Sequence, residues 1–160
     1  MWNRAEPMKR ILFLCSGNYY RSRFAEALFN AVAAQHRLPW QALSRGLTVG
    51  LGNNIGPISP LAVEGLEHRG VSLETDPREP MQVTRAELEA ADLVVALKEA
   101  EHRPLLEELF PGWADRVTYW HIDDLDCAGP AEALEKLDRQ LIALLARLFK
   151  EDMAQQRREG

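Results

Sequence analysis

Four short segments rich in apolar residues are spaced along the chain, each bounded by polar or turn-forming residues. The first, at residues 11–14, is continuously apolar, as is typical of a strand that is buried on both faces of a parallel sheet. The predicted strands cover residues 11–14, 40–44, 93–97 and 117–122. A sheet of this kind needs helices on both of its faces.

The segments between the strands carry apolar residues at helical spacing. Phe24, Ala27, Leu28 and Val32 share one face, which predicts a helix from residue 22 to about residue 37. Further helices are predicted at 61–68, after the capping-box sequence that opens at 84, at 99–110 and from 130 to about 150.

Strands that alternate with helices predict an α/β fold. We expect a three-layer sandwich in which a four-stranded parallel sheet is flanked by helices, of the Rossmann-like or flavodoxin-like kind. The predicted organisation is a loose leader at 1–8, one domain at 9–150, and a charged tail at 151–160 that frays. In such sheets ligands bind beyond the carboxyl ends of the strands.

Composition narrows the functional classes. The net charge of −5 argues against a nucleic-acid partner, and the apolar run at the N-terminus is too short for a signal peptide or a membrane span. Cys15 and Cys127 are far apart and form no Cys-x-x-Cys pair, which suits a reducing cytoplasm. The four histidines show no ligand spacing, so we expect neither a metal nor a cofactor.

Candidate chemistry concentrates in Cys-Ser-Gly-Asn-Tyr-Tyr-Arg-Ser, residues 15–22, where the first strand passes into the first helix. Gly17 is expected to curl the backbone with a positive φ, and Asn18 is a residue type that tolerates the left-handed conformation. The amides of residues 16–21 can then point inward at an oxyanion at the helix N-terminus. Arg21 adds a permanently charged fork for two phosphate oxygens.

The positive charge of Arg21 and the positive end of the helix dipole favour the thiolate form of Cys15, which makes this residue a candidate nucleophile. In-line attack on a bound phosphoryl group would form a phosphocysteine, which water later hydrolyses. Ser22 could donate a hydrogen bond to the sulfur. A buried, inert cysteine at a strand end is the structural alternative.

Such a reaction needs a general acid and then a base. Asp123, Asp124 and Asp126 follow the fourth predicted strand, at the same edge of the sheet as Cys15. A strand that ends in an ordinary polar turn would give a similar sequence. The position of these aspartates beside the Cys15 loop favours a catalytic carboxylate instead.

These motifs resemble the low-molecular-weight protein tyrosine phosphatase family, whose signature has the form C-x-G-N-x-C-R-S-P. Cys15, Gly17, Asn18, Arg21 and Ser22 match it, and the likeness extends over about residues 9–150. The resemblance implies a cysteine-dependent phosphomonoester hydrolase with Cys15 as nucleophile and Arg21 as phosphate clamp. It makes Asn18 and Ser22 organisers of the loop.

The resemblance also implies roles outside the signature. Ser44 is a second support for Asn18. Within the signature loop, the predicted substrate-binding set is Ser16, Gly17, Asn18, Tyr19, Tyr20 and Ser22. The ring of Tyr19 is expected either to line the mouth of the pocket or to restrict what enters it.

The chain departs from the family pattern at several positions. Tyr20 stands where the family has a second cysteine, Arg23 where it has proline, and Arg78 where it has a histidine that holds the asparagine. Leu125 and Asp126 replace the proline and the aromatic residue after the acid, so an aromatic wall for phosphotyrosine is missing. By register the acid is Asp124, with Asp126 as the alternative.

Two other functions share parts of this pattern. An arsenate reductase would need further cysteines, and residues 70–110 contain none. A non-catalytic phosphate or phosphopeptide module would bind oxyanions without turnover. The expected partner is a phosphorylated protein or a small phosphomonoester; phosphotyrosine and phosphoarginine both stay open as substrates.

Overall fold

The computed structural model describes residues 8–52, 54–73, 77–124 and 129–159. Its sheet has four parallel strands in the order β2-β1-β3-β4. The strands are β1 (Lys9–Cys15), β2 (Trp40–Gly46), β3 (Leu93–Ala96) and β4 (Thr118–Tyr119). The predicted four-stranded parallel sheet is confirmed.

Five α-helices occur in the described residues. They are α1 (Arg21–Gln35), α2 (Pro60–Glu67), α3 (Arg85–Ala90), α4 (Glu99–Leu109) and α5 (Pro130–Glu159). The predicted capping box at the start of α3 is present, because Thr84 accepts from the Glu87 amide while the Glu87 side chain accepts from the Thr84 amide. Pro104 lies within the first two turns of α4.

The side chains of β1 alternate between two cores. Ile11 and Phe13 pack with α1, α2 and α5 on one face, whereas Leu12 and Leu14 pack with residues of α3 and α4 on the other. All four are essentially without solvent exposure. The three-layer α/β sandwich follows from this division.

Two predicted elements end more than two residues away from the predicted position. β4 covers only two residues, Thr118 and Tyr119. Because β3 ends at Ala96, the chain beyond Tyr119 has no regular strand partner. It forms single backbone hydrogen bonds instead, such as the one from Ile122 N–H to Leu97 O. α5 continues to Glu159 instead of fraying from 151, since hydrogen bonds four residues apart, such as Gln156 to Asp152, connect its polar last turns.

The carboxyl ends of the strands gather four loops at one edge of the sheet. Gly46, at the end of β2, bonds through its backbone to Met81 and Val83, while Leu47 N–H donates to Cys15 O. In the described part of the chain, no helix is both long and apolar enough to cross a membrane.

Candidate active site

A loop at residues 16–20 connects β1 to α1. It is the loop predicted to bind an oxyanion, and it is called the cradle below. Its left-handed residue is Asn18, at φ 52°. The expectation of a positive φ at Gly17 was wrong, since Gly17 is not among the positive-φ glycines. Gly17 instead provides space, because a Cβ there would lie 3.2 Å from Asn54 Nδ2.

The Asn18 side chain explains how a non-glycine residue holds this conformation. Its Nδ2 donates to Ser22 Oγ at 2.9 Å and to Ser44 Oγ at 3.0 Å. Its Oδ1 accepts from Met81 N–H at 3.0 Å and from Arg78 Nη1 at 2.9 Å. Asn18 is fully buried, so these four bonds satisfy its whole amide and fix the loop.

A second layer of contacts holds the partners of Asn18. Ser44 Oγ donates to Glu26 Oε1 at 2.6 Å. Arg78 Nη2 donates to the same carboxylate oxygen at 3.1 Å and to Ser44 O at 3.0 Å. Arg78 therefore supports Asn18 from the position where the family pattern has a histidine. Glu26 is a member of this network that sequence reasoning missed, although it lies one helical turn after Ser22.

Cys15 lies at the base of the cradle with 3% of its surface exposed. Its Sγ is 2.9 Å from Ser22 Oγ. Because Asn18 already donates to the Ser22 oxygen, the Ser22 hydroxyl has its own hydrogen available for the sulfur. This arrangement stabilises negative charge on the sulfur.

Arg21 begins α1 and turns its guanidinium back over the site. Nη1 donates to Ile122 O at 3.0 Å, and Nη2 donates to Glu101 Oε2 at 2.8 Å. Burial opposes the cation, but Cys15, Glu101 and Asp124 outweigh it and raise the pKa of Arg21. The side chain is therefore a fixed cation beside the nucleophile.

Glu101 and His102, at the start of α4, also reach the cradle, and sequence reasoning missed both of them. Glu101 Oε2 accepts from Ser16 Oγ and lies 3.0 Å from His102 Nε2. Burial alone would raise the pKa of Glu101, but hydrogen bonds from His102, Arg21 and Ser16 hold it well below its usual range. Their place at the carboxyl end of β3 was the one signal available in the sequence.

His102 is fully buried, and its tautomer follows from its contacts. Nδ1 accepts the Lys98 backbone N–H at 3.0 Å, so the hydrogen of the neutral ring lies on Nε2. That hydrogen faces Glu101 Oε2 and also Ser16 Oγ, which is 3.2 Å away. Burial lowers the pKa of His102, despite the opposing effect of Glu101.

The carboxylates after β4 take different positions. Asp124 Oδ2 lies 3.6 Å from Arg21 Nη2, and its side chain is 45% exposed. Asp123 instead forms an ion pair of 2.8 Å with Lys98. Of these two, Asp124 faces the cradle, while Asp126 lies outside the described residues.

The two loop tyrosines point in different directions. Tyr19 OH donates to Ile55 O at 2.6 Å, which places its half-buried ring against the neighbouring loop. Tyr20 is 5% exposed, packs in the core and donates to Pro130 O at 3.3 Å. Burial raises the pKa of Tyr20 to about 12. The Tyr20 ring is thus a core residue, which leaves only its backbone for the predicted substrate contact.

Arg23, which replaces the signature proline, is buried and connects three segments. Nη1 donates to Pro57 O at 3.0 Å and, more weakly, to Asn18 O at 3.4 Å, while Nη2 donates to Arg78 O at 2.8 Å. Burial, with the charge of Arg78, lowers the pKa of Arg23 to about 10. Arg23 therefore fixes the cradle against two flanking loops.

The arrangement brings the Cys15 sulfur, a fixed guanidinium and an exposed carboxylate together at one helix N-terminus. Among the described residues no group of three or more His, Cys, Asp or Glu side chains could hold a metal ion. The geometry suits transfer of a phosphoryl group to sulfur and back to water.

Comparison with known proteins supports this interpretation. The family model for low molecular weight phosphotyrosine protein phosphatase matches residues 10–155. A protein-arginine-phosphatase from Bacillus subtilis (strain 168) is 31% identical over 153 residues, which span 89% of this chain and 97% of that protein.

Two solved structures extend the comparison. A low molecular weight protein tyrosine phosphatase from T. tengcongensis superposes with a TM-score of 0.71 at 26% identity and covers 89% of this chain and 99% of its own. A cysteine-to-serine mutant of the YwlE arginine phosphatase, with a phosphorylated active-site serine, gives a TM-score of 0.68 at 25% identity and covers 89% and 94% of the two chains.

Proposed function

The chain belongs to the low molecular weight phosphotyrosine protein phosphatase family, and from that premise we propose that it dephosphorylates protein side chains through Cys15, Arg21 and Asp124. Cysteine-based phosphatase chemistry is a property of the family. The assignment of each role rests on the contacts of this chain.

In the first half-reaction the phosphoryl oxygens bind the loop amides and Arg21. The Cys15 thiolate attacks phosphorus, a P–S bond forms, and the bond between phosphorus and the leaving atom breaks. Asp124 gives its proton to that leaving atom. The phosphorylated serine in the YwlE mutant supports a covalent intermediate at the position of the nucleophile.

In the second half-reaction Asp124 is a carboxylate and accepts a proton from water. The water attacks phosphorus, the P–S bond breaks, and inorganic phosphate leaves while the sulfur returns to the thiolate. The Ser22 hydroxyl, 2.9 Å from Sγ, supports the departing sulfur.

The position of Asp124 carries the assignment of the acid. It lies within 3.6 Å of Arg21 and is still 45% exposed, so it can contact both a bound phosphoryl group and water. Asp126 remains the alternative acid.

For the substrate we propose phosphotyrosine in a protein, on the basis of the surface beside the cradle. Tyr19 bonds to Ile55, and both Ile55 and Leu51 are more than 80% exposed. Thr48 N–H donates to Ser16 O, so the loop that carries these apolar side chains lies directly against the cradle. An aromatic leaving group would cover this apolar surface.

Phosphoarginine is the second candidate substrate. The Bacillus subtilis relative is a protein-arginine-phosphatase. Two carboxylates, Glu101 and Asp124, lie near Arg21 Nη2, and a guanidinium leaving group would be attracted to them.

A reducing cytoplasm is the compartment that this chemistry favours, because the nucleophile must stay a thiolate. Tyr20 occupies the place of the family's second cysteine, so a disulfide between neighbouring loop cysteines is not available as protection.

The test is hydrolysis of an aryl phosphate by the wild type and by Cys15→Ser, Arg21→Ala, Asp124→Asn and Asp126→Asn. We expect loss of turnover in Cys15→Ser and a large loss in Arg21→Ala. Asp124→Asn should slow poor leaving groups most, and Asp123→Asn, whose carboxylate is paired with Lys98, is the matched control. Phosphate binding without turnover in the wild type would favour the non-catalytic module instead.

A further inference from the structure

Glu101 occupies one side of the Arg21 guanidinium, which the phosphoryl group of a substrate would also contact. Its Oε2 is 2.8 Å from Arg21 Nη2, and its side chain is 30% exposed. In the proposed mechanism Arg21 binds the phosphoryl oxygens. In the free protein a carboxylate therefore already contacts the side chain that binds phosphate.

The carboxylate cannot easily move aside. Ser16, in the cradle itself, and His102 both donate to the oxygen that contacts Arg21. His102 is in turn fixed by the Lys98 backbone N–H and is fully buried. An arriving phosphoryl group therefore shares Arg21 with Glu101 and does not replace it.

This sharing has an electrostatic consequence. A phosphate monoester carries a charge of about −1.5 to −2 at neutral pH. A unit negative charge held on the same guanidinium repels such a dianion and neutralises part of the attraction that Arg21 provides. A phosphoryl group attached to a cation suffers less, because the cation is itself attracted to the carboxylate.

We infer that Glu101 is a specificity-determining residue of the cradle: it lowers the affinity for phosphoryl dianions and thereby reduces the preference for phosphotyrosine over phosphoryl groups that are bonded to a cationic side chain. The selectivity part of this inference rests on the proposed function, whereas the affinity part requires only that the cradle binds phosphate.

The first experiment measures the dissociation constant of inorganic phosphate by calorimetry. Glu101→Gln keeps the size of the side chain and an oxygen that accepts hydrogen bonds, but it removes the charge. We expect phosphate to bind at least tenfold more tightly, because a full negative charge a few ångströms from the bound anion is removed. Glu101→Asp, which keeps the charge but withdraws it, should lie between the wild type and Glu101→Gln.

Glu108→Gln is the matched control, because it makes the same change of charge at an exposed position on α4 and should leave the constant within twofold of the wild type. If both Glu101 variants bind phosphate as the wild type does or more weakly, the inference is overturned. Weaker binding in both would show that Glu101 positions Arg21 and does not compete with phosphate.

The second experiment compares kcat/KM for a phosphotyrosine peptide and a phosphoarginine peptide of the same sequence. In Glu101→Gln we expect the ratio of phosphotyrosine to phosphoarginine efficiency to rise several-fold. An unchanged or lower ratio would contradict the inference. Failure of the wild type to hydrolyse either peptide would instead count against the proposed function, and the phosphate constants would still decide the role of Glu101.

Discussion

The Ser22 hydroxyl contacts both Asn18 and Cys15. It accepts a hydrogen bond from the side-chain amide of Asn18 and lies beside the sulfur of Cys15. The first contact keeps a left-handed residue in place, and the second stabilises the thiolate. A hydrogen bond to a charged group contributes about 1.5–3 kcal/mol, more than a neutral one. The sulfur contact should therefore dominate the effect of Ser22 on catalysis.

We predict that Ser22→Ala lowers kcat about tenfold or more and lowers KM with it, because the sulfur leaves phosphorus without a hydrogen-bond donor and the phosphocysteine accumulates. Rapid mixing with an aryl phosphate should show a burst of phenol equal to the enzyme, followed by slow turnover. Ser72→Ala, at an exposed position, is the control. A raised KM with an unchanged kcat would assign Ser22 to substrate binding instead.

Gly46 is needed because two backbones approach closely at the end of β2. A Cβ there would lie 2.7 Å from Ser16 O and 2.5 Å from a methyl group of Val49. We predict that Gly46→Ala lowers the free energy of unfolding by about 1–3 kcal/mol, as for overpacked sites, and that activity also falls because Ser16 belongs to the cradle.

Urea unfolding measures the effect of Gly46→Ala. Gly129→Ala is the matched control, because a Cβ at Gly129 meets no atom within 4 Å. Equal stability of the two variants would mean that the cradle backbone can shift to accept the methyl group.

At the scale of elements, apolar runs predicted the strands of the sheet, while helical spacing together with a capping box and prolines predicted the start of each described α-helix to within one residue. β1 is buried on both faces, so its apolar run was unambiguous. The ends of β4 and α5 were missed because they depend on other elements: on where β3 stops, and on polar contacts in the last turns of a long helix. Pattern within a segment contains neither kind of information.

The same division applies to the site. Roles for the residues from Cys15 to Ser22, which are close in sequence, could be predicted from the chemistry of one loop. Glu101 and His102 could not, because their role depends on which strand lies beside β1 and on how α4 begins. Without ligand spacing, nothing in the sequence distinguishes His102 as a surface or a core histidine; the structure buries it and places it against Ser16 and Glu101.

Arg23 connects three elements, because its guanidinium at the start of α1 donates hydrogen bonds to the loops before α2 and α3. We predict that Arg23→Met lowers the free energy of unfolding by roughly 2–4 kcal/mol, because the half-buried carbonyls of Pro57 and Arg78 lose the donor that the buried guanidinium provides. Chemical denaturation measures this, with Arg139→Met at an exposed position of α5 as control. Equal losses in both variants would show that the three-loop contact adds no stability.

At the scale of the whole molecule, His102 couples the stability of the fold to pH. The folded protein holds this ring neutral, since burial lowers the pKa and Nδ1 accepts a backbone hydrogen bond. In the unfolded chain a histidine binds its proton near pH 6.5. Below that pH the unfolded state binds more protons than the folded state, so the free energy of unfolding must fall as pH falls toward the folded pKa.

We predict that wild-type stability falls between pH 7 and pH 5, with a slope from this residue of at most about 1.4 kcal/mol per pH unit. Glu101 adds nothing in this range, because its lowered pKa keeps it ionised in the folded state and its unfolded pKa is near 4.5. His102→Asn retains an acceptor for the Lys98 N–H but does not titrate, so its stability should be flatter with pH, whereas exposed His68→Asn should keep the wild-type slope. Parallel curves for all three proteins, measured by urea unfolding, would show that other groups set the pH dependence. A reduced slope in His102→Asn alone would locate the effect under the cradle, where the ring meets Glu101 and Ser16.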